Sequence, residues 1–343
     1  MKITKLKSFG SFGVKVTNIR YPFVDSETNK LAKLLKQELV LVLPQVHYTK
    51  EQFYELSGKL GSISTHGQQK DEPTTHLTGY LDDNNCPLFP GLDKVTAKKI
   101  KNTEKYSGVA AGFSKRLNWH CAEAERDNIK YSLQKNKTIE GRIERPLPEF
   151  VGLQGVTGTK GSVTQVCQTI DKFKEESKDH KEWLRGVRVR WNFIYGEEGV
   201  VPDIDDKYRN DEFGHKGDFM DKVQPLVQSC VNGHEGLHYS PSQVSEIVGG
   251  TPEEFKDFKD YFMKEYVQPK YIYDHEWQDG DIFYLDQKTC IHRRTDKNLN
   301  VSGLDMQYLE QRLLHRIEVH AMIEQIPTSG LNIHYSKSMK RRH

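Results

Sequence analysis

Residues 311–321 read QRLLHRIEVHA. Leu313, His315, Ile317 and Val319 alternate with Arg312, Leu314, Arg316 and Glu318. A period of two describes a strand with two different faces, not a helix. The run LVLVL at 39–43 is apolar without a break, as expected of a strand buried on both sides. DIFYLD at 281–286 and RGVRVRWNFIYG at 185–196 are further strands, and FGVKVTNI near the start alternates like a short one. Helices are fewer. Residues 28–38 put Leu31, Leu34 and Leu35 on one face. Thr49 and Gln52 have capping-box spacing ahead of Phe53, Leu56 and Leu60, with a stop at Gly61. Thr251 caps PEEFKDFKDYF, which has Pro252 in its first turn. Polar stretches at 67–106 and 197–222 read as irregular loops or lids inserted in a single domain spanning 1–343. The sum is a mainly β protein with flanking helices, a sandwich or jelly roll.

Composition narrows the function classes. The chain has 343 residues, enough for a large core, and its formal net charge of +2 is too small to argue for a nucleic-acid partner. The basic tail SKSMKRRH reads as a frayed terminus. Five scattered cysteines with no CxxC indicate neither a disulfide framework nor a zinc knuckle. The N-terminus carries no apolar leader core, and no apolar run approaches membrane length, so a cytoplasmic protein with no membrane partner is expected. A homo-oligomer is compatible with all of this.

HEGLH at 234–238 fits the HExxH zinc-protease signature, which needs a helix to bring both histidines to one face. Gly233, Gly236 and Pro241 break any helix here, so the segment reads as a hairpin turn leading into a strand LHYS.

A better constellation is spread along the chain. His120 follows LNW, His292 closes DIFYLDQKTCIH, and Arg312 and Arg316 share the late strand. Two neutral imidazoles can hold Fe(II) and leave other positions open. An arginine fork suits the carboxylate of a 2-oxo acid. In this order and context the segments LNWH, PLVQSCVNGHEGLHYSP, HEWQDGDIFYLDQKTCIH and QRLLHRIEV resemble the taurine dioxygenase (TauD/TfdA) family of Fe(II)/2-oxoglutarate-dependent oxygenases. The opening strand–helix–strand–helix layout is similar too. The resemblance implies a double-stranded β-helix, a distorted jelly roll of cupin-like form, and an enzyme using Fe(II), 2-oxoglutarate and O2 on a small-molecule substrate. It implies His120 and His292 as iron ligands, Arg316 as partner of the distal 2-oxoglutarate carboxylate, and Arg312 near the other end. The family's early hydroxyl contact to 2-oxoglutarate falls on Ser162 or Thr164 in GTKGSVTQ. Arg116 and His66 stand where the family places substrate contacts.

One expected ligand is missing. The family's iron triad has an acid two positions after the first histidine, and this chain has Ala122 there. Glu123 points to the wrong side of a strand, and Glu125 is too far along without a bulge. Loss of catalysis would leave a small-molecule-binding protein. The remaining reading is replacement: alanine opens a coordination position and removes one negative charge, and chloride restores both. This resembles the Fe(II)/2-oxoglutarate-dependent halogenases, with a hydroxylase using water at the gap as the alternative. An amino acid or a nucleotide-like molecule fits as substrate equally well.

Overall fold

The structure, a computed structural model, describes residues 1–63, 92–96, 98–99, 106–107, 117–121, 148–191, 222–295 and 313–321. The N-terminal part runs β1 (Lys2–Lys5), β2 (Val14–Thr17), α1 (Asp25–Glu38), β3 (Val40–Leu43), α2 (Lys50–Leu60) and β4 (Gly61–Ile63). Short strands follow: β5 (Leu92–Thr96), β6 (Lys98–Lys99), β7 (Tyr106–Ser107) and β8 (Leu117–His120). The middle comprises β9 (Phe150–Thr157), β10 (Val163–Gln168), α3 (Ile170–Glu175), α4 (Lys178–Gly186), β11 (Arg188–Trp191), β12 (Lys222–Pro225), β13 (Val227–Ser229), β14 (Glu235–Leu237) and β15 (Val244–Ile247). Last come α5 (Pro252–Glu265), a 3₁₀ turn (Pro269–Tyr271), β16 (Ile272–Glu276), β17 (Ile282–Asp286), β18 (Cys290–Thr295) and β19 (Leu313–Ala321).

Two sheets carry the architecture. The larger has the order β1-β2-β3-β17-β9-β19-β4, with β5 also paired to β19. The smaller has the order β16-β10-β18-β8. They face each other across a shared core in which Val42, Phe283 and Leu314 of the larger sheet meet Val166 and Cys290 of the smaller. The opposite side of the larger sheet, with Leu41, Tyr284, Ile317 and Val319, is covered by Leu31 and Leu35 of α1 and Phe53 and Leu56 of α2. The outer side of the smaller sheet, with Cys167 and Ile291, packs under Trp191, Tyr239, Phe258 and Phe262. This is the expected sandwich of jelly-roll form, buttressed by helices.

The local sequence explains these elements. β3 is apolar throughout because Val40 and Val42 enter the inter-sheet core while Leu41 and Leu43 meet the helices. Both expected helix caps form, and both are capping boxes: the expected one at Thr49 with Gln52, and one at Thr251 that also engages Glu254, each satisfying two helix N-terminal donors. β19 obeys its alternation: Ile317 and Val319 face the helices, and Leu314 faces the other sheet. By the same period Arg316 and Glu318 project toward the sandwich interior.

Three expectations change. The irregular reading of 67–106 gives way at β5, which forms a ladder with β19, and at the β6–β7 pair. The strand placed at 185–196 begins only at Arg188, since α4 runs to Gly186 first, and its continuation past Trp191 lies outside the described residues. The turn at Gly233 leads into β14 at Glu235–Leu237 rather than into LHYS, whose remaining residues are buried coil.

Candidate active site

The smaller sheet sets two histidines side by side. His292 on β18 is the register partner of His120 on β8. Directly opposed residues of an antiparallel pair share a face, and the two rings sit 4.1 Å apart between centroids, inclined by 52°. The face is the inner one. His292 also pairs in register with Val166 of β10, a member of the inter-sheet core, whereas the flanking Trp119 and Ile291 belong to the outer core. The ladder shifts register between His292 and Arg294 and resumes with Arg294 opposite Leu117, an irregularity beside the site.

The chemistry of the pair suits a divalent transition metal. Burial, the neighbouring His120 and the charge of Arg316 hold His292 well below the ordinary histidine range, so its ring is neutral at physiological pH. Its Nδ1 is enclosed without a hydrogen-bond partner. A buried ring nitrogen left in that condition is costly, and a metal ion would relieve it. Among the described residues no cluster of three or more His, Cys, Asp or Glu could complete a metal site. Within that set the pair therefore has no carboxylate companion.

Arg316 reaches the same space from the facing sheet, close enough for its charge to disfavour a proton on His292. Its Nη2 donates to Glu318 Oε1 at 2.5 Å. With the guanidinium beside the neutral ring of His292, the local potential favours an anion. The two hydroxyl candidates occupy different settings. The Ser162 hydroxyl donates to the Thr159 carbonyl at 2.7 Å, closing the turn that its own backbone N–H also closes. Thr164 lies two residues before Val166 on the inner face of β10, and its Oγ1 accepts the indole N–H of Trp277 at 2.9 Å. That leaves the Thr164 proton available to an acceptor.

The structure thus brings His120, His292 and Arg316 together, with Thr164 on the same inner face. Ala122, Arg116, His66 and Arg312 lie outside the described residues. The HExxH histidines are in unlike surroundings on no common helix. His234 meets Phe12 edge-on in the hairpin, while His238 is buried against Trp191, its Nδ1 2.8 Å from Gln228 Nε2. Two neighbours of the site carry no catalytic motif of their own, Trp277 and Glu318. Their signals were present as the tryptophan of HEWQDGD and as an acid on the arginine-bearing face of the late strand.

Comparison with known proteins agrees with this geometry. The sequence family described as Taurine catabolism dioxygenase TauD, TfdA family matches residues 134–316, a span that contains Ser162, Thr164, His292 and Arg316 and begins after His120 and Ala122. Pentalenolactone F synthase of Streptomyces arenae is 21% identical over 193 residues, covering 54% of this chain and 58% of that protein. The match thus spans little more than half of that relative. Among solved structures, a putative alpha-ketoglutarate-dependent taurine dioxygenase from Burkholderia xenovorans is similar at a TM-score of 0.60 and 17% identity, over 93% of this chain and 92% of that one. The structure of AAD-2 in complex with Mn(II) and N-oxalylglycine is similar at a TM-score of 0.62 and 16% identity, over 94% and 99%. With the family match covering more than half of its length and the fold shared almost end to end, this chain belongs to the TauD/TfdA dioxygenase family.

Proposed function

We propose that the protein is an Fe(II)/2-oxoglutarate-dependent oxidoreductase that halogenates an unactivated C–H bond of a small polar molecule. His120 and His292 hold the iron, and their cross-strand pairing is the observation that carries the reading. Arg316 and Thr164 take the distal carboxylate of 2-oxoglutarate, and Arg312 stands near its other end. Thr164 is preferred to Ser162 because the Ser162 proton is already given to the Thr159 carbonyl. The spacing supports this choice. Thr164 is two residues along β10 from the position opposite His292, roughly 7 Å at strand rise, about the reach of a five-carbon diacid held by its other end at the metal. Arg116 and His66 serve the substrate.

When bound, the iron and its cosubstrate supply the oxidant that removes a hydrogen atom from carbon, with chloride ending on that carbon. The balance closes with one proton from solvent: one atom of O2 goes into succinate, the other joins the abstracted hydrogen and that proton as water, and CO2 leaves the cosubstrate. The chain's own contributions are simpler. His292, held neutral, binds without first losing a proton, Arg316 neutralises a carboxylate, and the inter-sheet core beside them keeps water out. Ala122 supports chloride as the ion that fills the gap, because it offers neither an oxygen ligand nor a charge.

Hydroxylation is the second reading, favoured by the solved relatives described as dioxygenases. A substrate-free titration separates the two. Under argon, chloride should tighten 2-oxoglutarate binding to the Fe(II) protein severalfold, since each ligand completes the sphere the other needs. Ala122→Asp should abolish that linkage by filling the position with a carboxylate. Unchanged cosubstrate affinity with and without chloride in the natural protein would move the assignment to a hydroxylase.

A further inference from the structure

The geometry points to Trp277 as a positioning residue that sets the direction of the Thr164 hydroxyl and so selects a carboxylate at the far end of the cosubstrate. This deepens the function proposed above and rests on Thr164 being the cosubstrate contact. Trp277 is fully buried and fastened at both ends, to β10 and to the residue just before it. Its backbone N–H donates to the Ser162 carbonyl at 3.0 Å, and its indole N–H donates to Thr164 Oγ1 at 2.9 Å. The indole cannot swing away. His275 meets it edge-on at 4.5 Å between centroids and Phe283 at 6.2 Å. On the side of β9 the chain is bare: a Cβ on Gly155 would lie 3.1 Å from the indole Cε3. His275 is itself stacked on Phe283 and lies 3.3 Å from the Asp281 carboxylate, which takes backbone N–H groups from Gln45 and Gln278.

An indole nitrogen can only donate. A threonine hydroxyl has one proton and two lone pairs, so a fixed donor on Oγ1 occupies a lone pair and turns the proton elsewhere. What Thr164 then presents to the site is a donor. A carboxylate oxygen accepts that proton, while a cosubstrate ending in a methyl group has nothing to take it. Trp277 therefore acts on the distal carboxylate through Thr164, without touching the cosubstrate itself.

The experiment is calorimetric titration of the Mn(II)-loaded protein with 2-oxoglutarate and, separately, with 2-oxobutyrate, which lacks the distal carboxylate. Trp277→Phe keeps a large ring and removes the N–H. It is expected to weaken 2-oxoglutarate about tenfold and to leave 2-oxobutyrate within twofold, with no further loss when combined with Thr164→Val. Equal weakening of both acids would mean that Trp277 only supports the fold, and no weakening of either would mean that it does nothing for the site; both overturn the inference. Thr164→Val separates the inference from its foundation. If that variant binds 2-oxoglutarate normally, the cosubstrate assignment of Thr164 falls, and if it binds weakly while Trp277→Phe does not, the role of Trp277 alone falls. Should Trp277→Phe not fold, the indole ¹⁵N–¹H resonance of Trp277 in the Zn(II)-loaded natural protein decides. It is expected to shift with 2-oxoglutarate and stay in place with 2-oxobutyrate, and an equal response to both contradicts the inference.

Discussion

Arg316 stands between Glu318 and His292. In this structure its guanidinium is held by Glu318 on the same face of β19, and it also bears on the neutral ring of His292. Under the proposed function, the distal carboxylate of the cosubstrate draws the guanidinium from Glu318 to itself. Arg316→Ala removes a charge-assisted fork from a half-buried site. Its expected cost to 2-oxoglutarate binding is on the order of 3 kcal/mol, about a hundredfold in Kd by calorimetry. Arg116→Ala should leave that Kd unchanged and lower turnover only; loss of cosubstrate binding there would reverse the two ends of the pocket. Single residues of this kind were legible in the sequence because each sits in a segment with its own grammar. Arg316 lies in an alternating strand, and His292 follows a strand and turn. Trp277 was less legible, since its importance comes from a contact with Thr164, far away in sequence, that no spacing encodes; Glu318 follows Arg316 by two on the same strand, and only the sandwich shows that this face points inward.

At the scale of elements, the turn joining β17 to β18 determines where His292 lands. Asp286 ends β17 and anchors that turn: one carboxylate oxygen accepts the Thr289 N–H at 2.6 Å, the Thr289 hydroxyl at 2.7 Å and the Lys288 N–H at 3.1 Å. Its other oxygen is buried without a partner. Burial outweighs these bonds and pushes the carboxyl up from 3.8 to about 6. The folded chain thus holds this proton more tightly than the unfolded chain does. The stability it contributes is fully present below about pH 4 and is lost as pH rises through about 6, a change of about 3 kcal/mol. Asp286→Asn mimics the protonated acid. It should flatten that part of the pH dependence in urea unfolding between pH 4 and 7, and a slope that persists would assign the effect to another group. Regular elements were legible wherever a period or a cap was complete, as in β3, β19, α2 and α5. β9 and β10 were not singled out. Gly152 and Gly155 interrupt the first, and the second is buried on both faces and carries no period, its polar Thr164 and Gln165 finding partners in Trp277 and Asp274.

For the molecule as a whole, the two-sheet arrangement creates the site. β8 and β18 offer His120 and His292 from one sheet, and β19 offers Arg316 from the other. These segments are far apart in sequence, and only the sandwich brings them within reach. The ordered series of motifs made the fold and the histidine pair readable, whereas the decoy HExxH shows that a motif without its helix carries nothing. The most direct test of the account is the visible spectrum of the anaerobic protein with Fe(II) and 2-oxoglutarate. A weak charge-transfer band is predicted for the natural chain, lost in both His120→Ala and His292→Ala and retained in His234→Ala. A band that survives both of the first two substitutions would contradict the assignment of the iron to this pair.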